Sequence, residues 1–178
     1  MRLARTSLLT LGATAALGAG AATAGAETPA PAPASPMHLV GVGVRFQFAT
    51  PAGQALTDKE APVAGDTVIA EAHLYTRAPV VREHRGDRRG VEGRAVGVAH
   101  LSCTLTSNQG AATCTALVTI AGEGQLTGTN VAVNFAATGP LMIPLNGGTG
   151  AFAGTTAGTV KVESVGNSNL SHFMISYS

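Results

Sequence analysis

The chain has 178 residues and a formal net charge of +1; 12% of its residues are charged, 4% are aromatic, and Trp is absent. Hydrophobic residues reach 45% because Ala and Val are abundant, and Gly occupies 23 positions. This balance excludes a disordered polyelectrolyte, which needs low hydrophobicity and high net charge. It excludes a collagen, since the glycines have no three-residue period, and it supplies no field that would predict nucleic-acid binding. The length suits one domain.

Met1 to Arg5 is a short basic start, Ser7 to Ala24 is uncharged, and Ala24-Gly25-Ala26 is a small-x-small cleavage site before Glu27. These are the three parts of a secretory signal peptide, assigned to residues 1–26. The competing reading is a membrane anchor, since the run is about long enough to cross a bilayer. It is short of large apolar side chains, however, and it ends in a cleavage site. Arg2 and Arg5 are not adjacent, so they form no twin-arginine signal. The expectation is a secreted protein with no membrane span in the mature chain. Residues 27–37 contain ETPAPAPASP, in which proline removes amide donors and fixes φ. This stretch is expected to be a disordered linker. The body then runs over 38–178.

His38 to Ala49 alternates, with Val40, Val42, Val44, Phe46 and Phe48 on one face and Gly41, Gly43, Arg45 and Gln47 on the other. A period of two predicts a strand. Thr67 to Tyr75 predicts a second, with Val68, Ala70, Ala72 and Leu74 opposite Ile69, Glu71, His73 and Tyr75. Arg77 to Arg94 breaks the pattern with six Arg against Glu83, Asp87 and Glu92. Its glycines and lack of apolar period predict an exposed loop. It reads either as a basic patch for an anionic partner or as a solvated loop, and the interleaved acids favour the second.

From Ala95 onward, only Glu123, Lys161 and Glu163 are charged. Strands are predicted over 95–107, 111–121, 124–129, 131–138, 142–145, 158–165 and 171–177, with Asn- and Gly-rich turns between them. Short strands at this spacing, with no helical stretch, indicate an all-β barrel or sandwich. A barrel removes the neutral edges that would otherwise aggregate. Cys103 and Cys114 are symmetric about Asn108-Gln109. A hairpin turning there places them opposite each other, at about 4.5 to 5.5 Å, within the Cα range of a disulfide. A two-residue turn would put them at a strained hydrogen-bonded pair, which a longer loop relieves. Export makes oxidation plausible.

Ile143 to Gly154 reads IPLNGGTGAFAG and continues to Gly158-Thr159-Val160-Lys161-Val162. This resembles the GGTG-x-F-x-G…G-x-V signature of the allene oxide cyclase-like and dirigent-like β-barrels. Gly65-Asp66-Thr67 and Gly97 to Cys103 are similar to that family's second and third strands. The resemblance spans about Val40 to Tyr177. It implies an eight-stranded antiparallel barrel with no cofactor and a mostly apolar cavity, in a family whose members are often dimers or trimers. Plant members either cyclise an unsaturated fatty-acid epoxide or orient phenoxyl radicals, and in both the protein mainly holds a conformation and excludes water. The glycine cluster suits a tight corner, and Phe152 is placed to plug one barrel end. The cyclases carry an acid and an Asn facing inward from the first strand. The nearest positions here are Arg45 and Gln47, and Arg45 reverses the charge.

Glu71 and His73 share a strand face about 6.5 to 7 Å apart along the backbone. They form the candidate catalytic pair, one as general base and the other orienting or donating. The opposite face is more uniformly apolar, which in the competing reading puts both on the barrel exterior. Candidate ligand-binding residues are Arg45, Gln47, His100 and Phe152. None of the five His has ligand spacing, and no metal site is expected. No G-x-S-x-G is present, so a serine hydrolase has no support. Two functions follow. One is a secreted barrel binding a small apolar or amphipathic ligand, with or without cofactor-free isomerase or cyclase chemistry. The other is a filled, non-catalytic barrel of the cell envelope. The first requires a cavity of at least ~300 Å³.

Overall fold

The computed structural model describes residues 35–57, 59–83, 89–166 and 168–178. The expected signal segment, most of the expected linker and His84 lie outside these residues. Eleven strands follow in chain order, and no helix occurs among the described residues. They are β1 (Met37–Ala49), β2 (Thr67–Tyr75), β3 (Val80–Glu83), β4 (Arg89–Glu92), β5 (Gly97–Leu105), β6 (Ala111–Ile120), β7 (Gly124–Asn134), β8 (Leu141–Leu145), β9 (Gly147–Gly150), β10 (Gly158–Ser164) and β11 (Leu170–Tyr177). The sequence expectation of an exposed loop over Arg77 to Arg94 is corrected by β3 and β4, which pair from Val80↔Glu92 to Glu83↔Arg89. A two-stranded ladder satisfies its own backbone donors, so it forms here without the apolar period used to recognise strands.

Nine strands make one antiparallel sheet in the order β8-β10-β11-β1-β2-β5-β6-β7-β9. Its two end strands, β8 and β9, are separated only by Asn146. β8 pairs with β10 and β9 pairs with β7, so they are two halves of one bent stave that closes the ring. Counted that way, the nine segments make the eight staves of the expected barrel. The Asn146 amide donates to Thr127 O at 2.8 Å. Its side-chain Oδ1 accepts from Thr129 N and its Nδ2 donates to Thr129 O, each at 2.9 Å. A side-chain amide thus stands in for a backbone amide at the bend.

Two bulges correct the predicted faces. In β1 the register slips between Gly43 and Arg45, leaving Val44 as the extra residue. A bulge changes which face the following residues occupy. Gly41 and Gly43 oppose Leu74 and Ala72, and beyond the slip Phe46 and Phe48 oppose Ala70 and Val68. The two Phe therefore face inward with the glycines, and Val40 and Val42 face out. In β7 the slip opposite Cys114 to Ala116 coincides with Asn130 at φ 55°. It merges two predicted strands into one.

The interior is made by alternate residues of every stave. Val68, Leu74, Leu126 and Ile175 have no exposure, and each such burial contributes roughly 1.5–3 kcal/mol. Phe152, in the β9–β10 loop, is 1% exposed and meets the Tyr177 ring edge-on at 5.4 Å. It seals the end of the barrel where β1, β5, β7 and β10 begin. Burial pushes the Tyr177 phenol above the ordinary tyrosine value, with the charge of Glu123 adding to the effect. Cys103 and Cys114 oppose each other across β5 and β6 and form a buried disulfide with Cα atoms 4.0 Å apart. The connecting loop is five residues long, 106–110. That length makes the cysteines a close, non-hydrogen-bonded pair instead of the strained one of a two-residue turn. No helix among the described residues is long and apolar enough to cross a membrane.

Candidate functional site: the barrel cavity

The cavity follows from unequal strand lengths. β1, β6 and β7 have 13, 10 and 11 residues, whereas β8, β10 and β11 have 5, 7 and 8. β1 pairs with β11 only as far as Val42, but with β2 as far as Ala49. β7 pairs with β9 only as far as Thr127, but with β6 as far as Asn134. Above the closed collar, five strands therefore overhang a shorter three-strand wall. The two bulges sit near the heights where that wall ends.

Within and above the collar lies an open-mouthed cavity of about 550 Å³. Its walls are built from small residues on adjacent strands, with Gly43 opposite Ala72, Ala72 opposite Ala99, and Leu101 opposite both Ala70 and Ala116. Val118, Ile143, Val160 and Val162 complete the sides, and Phe46, Phe135 and Phe173 supply three rings. Phe46 is 63% exposed although it faces inward, because nothing stands across from it at the mouth. The Phe173 ring lies over Gly41, where an added Cβ would stand 2.2 Å from a ring carbon. Glycine there lets the ring lie flat against the wall, which keeps the space open.

On the inward face, polar side chains occur only at the rim. Ser164 and Ser171 oppose each other across β10 and β11 on the inward face, and both line the cavity. Glu163 borders it as well and pairs outward with Lys161 at 3.5 Å. No buried side-chain nitrogen or oxygen lacks a partner among the described residues. No cluster of three or more His, Cys, Asp or Glu able to hold a metal occurs among them.

Of the sequence-predicted residues, Arg45, Glu71 and His100 border the cavity. They form a single cross-strand row, Arg45↔Glu71↔His100, one step out of phase with the inward alanines. Arg45 Nη2 donates to Gln47 Oε1 at 2.9 Å, in an exposed pair. His73 Nε2 lies 4.0 Å from Glu71 Oε1, with the side chains 44% and 35% exposed respectively. This is the outer face of β2, opposite Val68, Ala70, Ala72 and Leu74. Phe152 is at the sealed end and does not line the cavity. Sequence reasoning missed the three Phe and the two Ser at the mouth. The alternation Ala70-x-Ala72, with Ala99 and Ala116 on later strands, was the available signal, since small inward residues leave a barrel unfilled.

No family model matches the chain, and no curated protein matches it. Among solved structures, the chain is similar to pyocyanin demethylase, with 17% identity and a TM-score of 0.54. The match covers 80% of this chain and 99% of that one, and what it establishes is a shared fold: an all-β, antiparallel, closed barrel.

Proposed function

We propose that this chain is an exported barrel that binds a small apolar or amphipathic molecule in its cavity. The observation that carries the reading is the space itself: about 550 Å³, apolar-walled, open at one end and stoppered by Phe152 at the other. That volume lies within the ~300–1,000 Å³ typical of ligand sites and is unlike the filled interior a purely structural barrel would need. The buried disulfide suits an oxidising compartment, in keeping with the signal-like first segment. The barrel of similar shape is named for acting on pyocyanin. At that identity the fold carries over and the substrate does not.

Binding is favoured over acid–base catalysis because the inward positions bordering the cavity are Gly, Ala, Val, Leu, Ile and Phe, with serine only at the rim. Isomerisation or cyclisation of the kind suggested by the family resemblance would have no inward-facing acid or base to draw on. Native mass spectrometry of the protein purified from its own host tests the reading. A retained small molecule, lost in Ala72→Phe while the β-sheet circular dichroism persists, is the expected result. An empty protein with the same spectrum for both forms, and no uptake of apolar probes, would refute it.

A further inference from the structure

We infer that the ligand is an uncharged amphipathic molecule, seated apolar end down, with a single hydroxyl or carbonyl group held between Ser164 and Ser171. The inference rests on the binding reading above and specifies the chemistry of the same site. Below the rim the inward-facing wall positions are all apolar, the row of Arg45, Glu71 and His100 being out of phase with them, so a polar or charged group carried to that depth loses hydration that the inward side chains do not replace. At the rim, the two serine hydroxyls face each other on the inward side and have no hydrogen-bond partner among the described residues. Each provides a donor and an acceptor.

The charged groups near the mouth are of mixed sign. Arg45 holds Gln47, Lys161 stands 3.5 Å from Glu163, and Glu71 stands 4.0 Å from His73. Arg45 and Lys161 balance Glu71 and Glu163 in number, and Arg45 stands opposite Glu71 in the strand register, so the mouth carries no net charge that would select an anion or a cation. A neutral polar group finds two free hydroxyls.

The test is titration of the full protein with naphthalene, 2-naphthol, 2-naphthoate and 2-naphthylmethylammonium, following probe fluorescence, which the absence of Trp leaves unobscured. The expected order puts 2-naphthol first, about fivefold tighter than naphthalene, the gain of one net hydrogen bond, with both ions weakest. In Ser164→Ala/Ser171→Ala, 2-naphthol should fall to the affinity of naphthalene, whose own binding stays unchanged and so reports an intact cavity. Tighter binding of either ion, or 2-naphthol binding unaffected by the double substitution, overturns the inference and leaves the cavity reading standing. Failure of all four probes overturns both.

Discussion

Gly41 and Phe173 form a complementary pair whose geometry decides how much of the barrel stays empty. The missing Cβ at Gly41 is the space the Phe173 ring occupies. Gly41→Ala must move that ring, and its other side is the cavity. We expect Gly41→Ala to lower apolar-probe affinity and to destabilise the fold by about 1–3 kcal/mol, the usual cost of overpacking. Urea denaturation run beside a probe titration measures both, and a variant equal to the parent in both would show that the ring is not held there. Gly148 is a second such site. A Cβ there would lie 2.3 Å from the Phe152 carbonyl oxygen, which explains the second glycine of the GGTG run. The end plug was legible because a lone Phe among glycines and alanines has few other uses. The mouth was not, because Phe46 looks like any other apolar residue of its strand until the residue before Arg45 is known to be extra.

At the scale of the element, the β5–β6 hairpin was readable to the pair. Two cysteines symmetric about a turn can only oppose each other, and they do so at 4.0 Å between Cα atoms. Cross-linking across this short loop should contribute about 3 kcal/mol in the chain-entropy account. We expect Cys103→Ala/Cys114→Ala to lose roughly that amount, read as a lower urea midpoint. An unchanged midpoint would assign the stability of this hairpin to its packing alone. β9 and the β3–β4 hairpin were not readable. β9 is four residues of Gly and Thr, with no side-chain period to detect. It is a strand because Asn146 turns the chain from β10 toward β7 and its side-chain amide makes hydrogen bonds to the Thr129 backbone. The single strand β7 was read as two because the left-handed Asn130 interrupts the alternation that marks a strand.

For the whole molecule, pH acts on the sealed end. The Tyr177 phenol is raised above its ordinary value near 10 by burial against the plug, with Glu123 second. A raised value means that the folded state holds its proton longer than the unfolded chain does. The associated stability is fully present below about pH 10 and is lost as pH climbs from there through the folded value. Chemical denaturation between pH 8 and 11 should show the parent falling more steeply above pH 10 than Tyr177→Phe, which keeps the ring contact with Phe152. Parallel curves would remove Tyr177 as the cause. The global architecture was legible because alternation over many short segments admits few closures. The cavity depends on how far each strand outlasts its neighbour, a quantity that local pattern does not contain.

That inequality of lengths divides the protein into two regions with different tolerance of change. The collar, where every stave has two neighbours and the bent strand is fastened by Asn146, holds the molecule shut. The overhanging lip, from Val44 to Ala49 and from Val131 to Asn134, extends past the ladders to β11 and β9, with only Phe48 and Ala49 held on that side by Leu56 and Ala55, and bears on what the mouth admits. Lengthening the 135–140 connection would recut the opening without touching closure, whereas one residue inserted beside Asn146 would unfasten the ring. A scaffold built this way can be refitted to new guests from the lip alone.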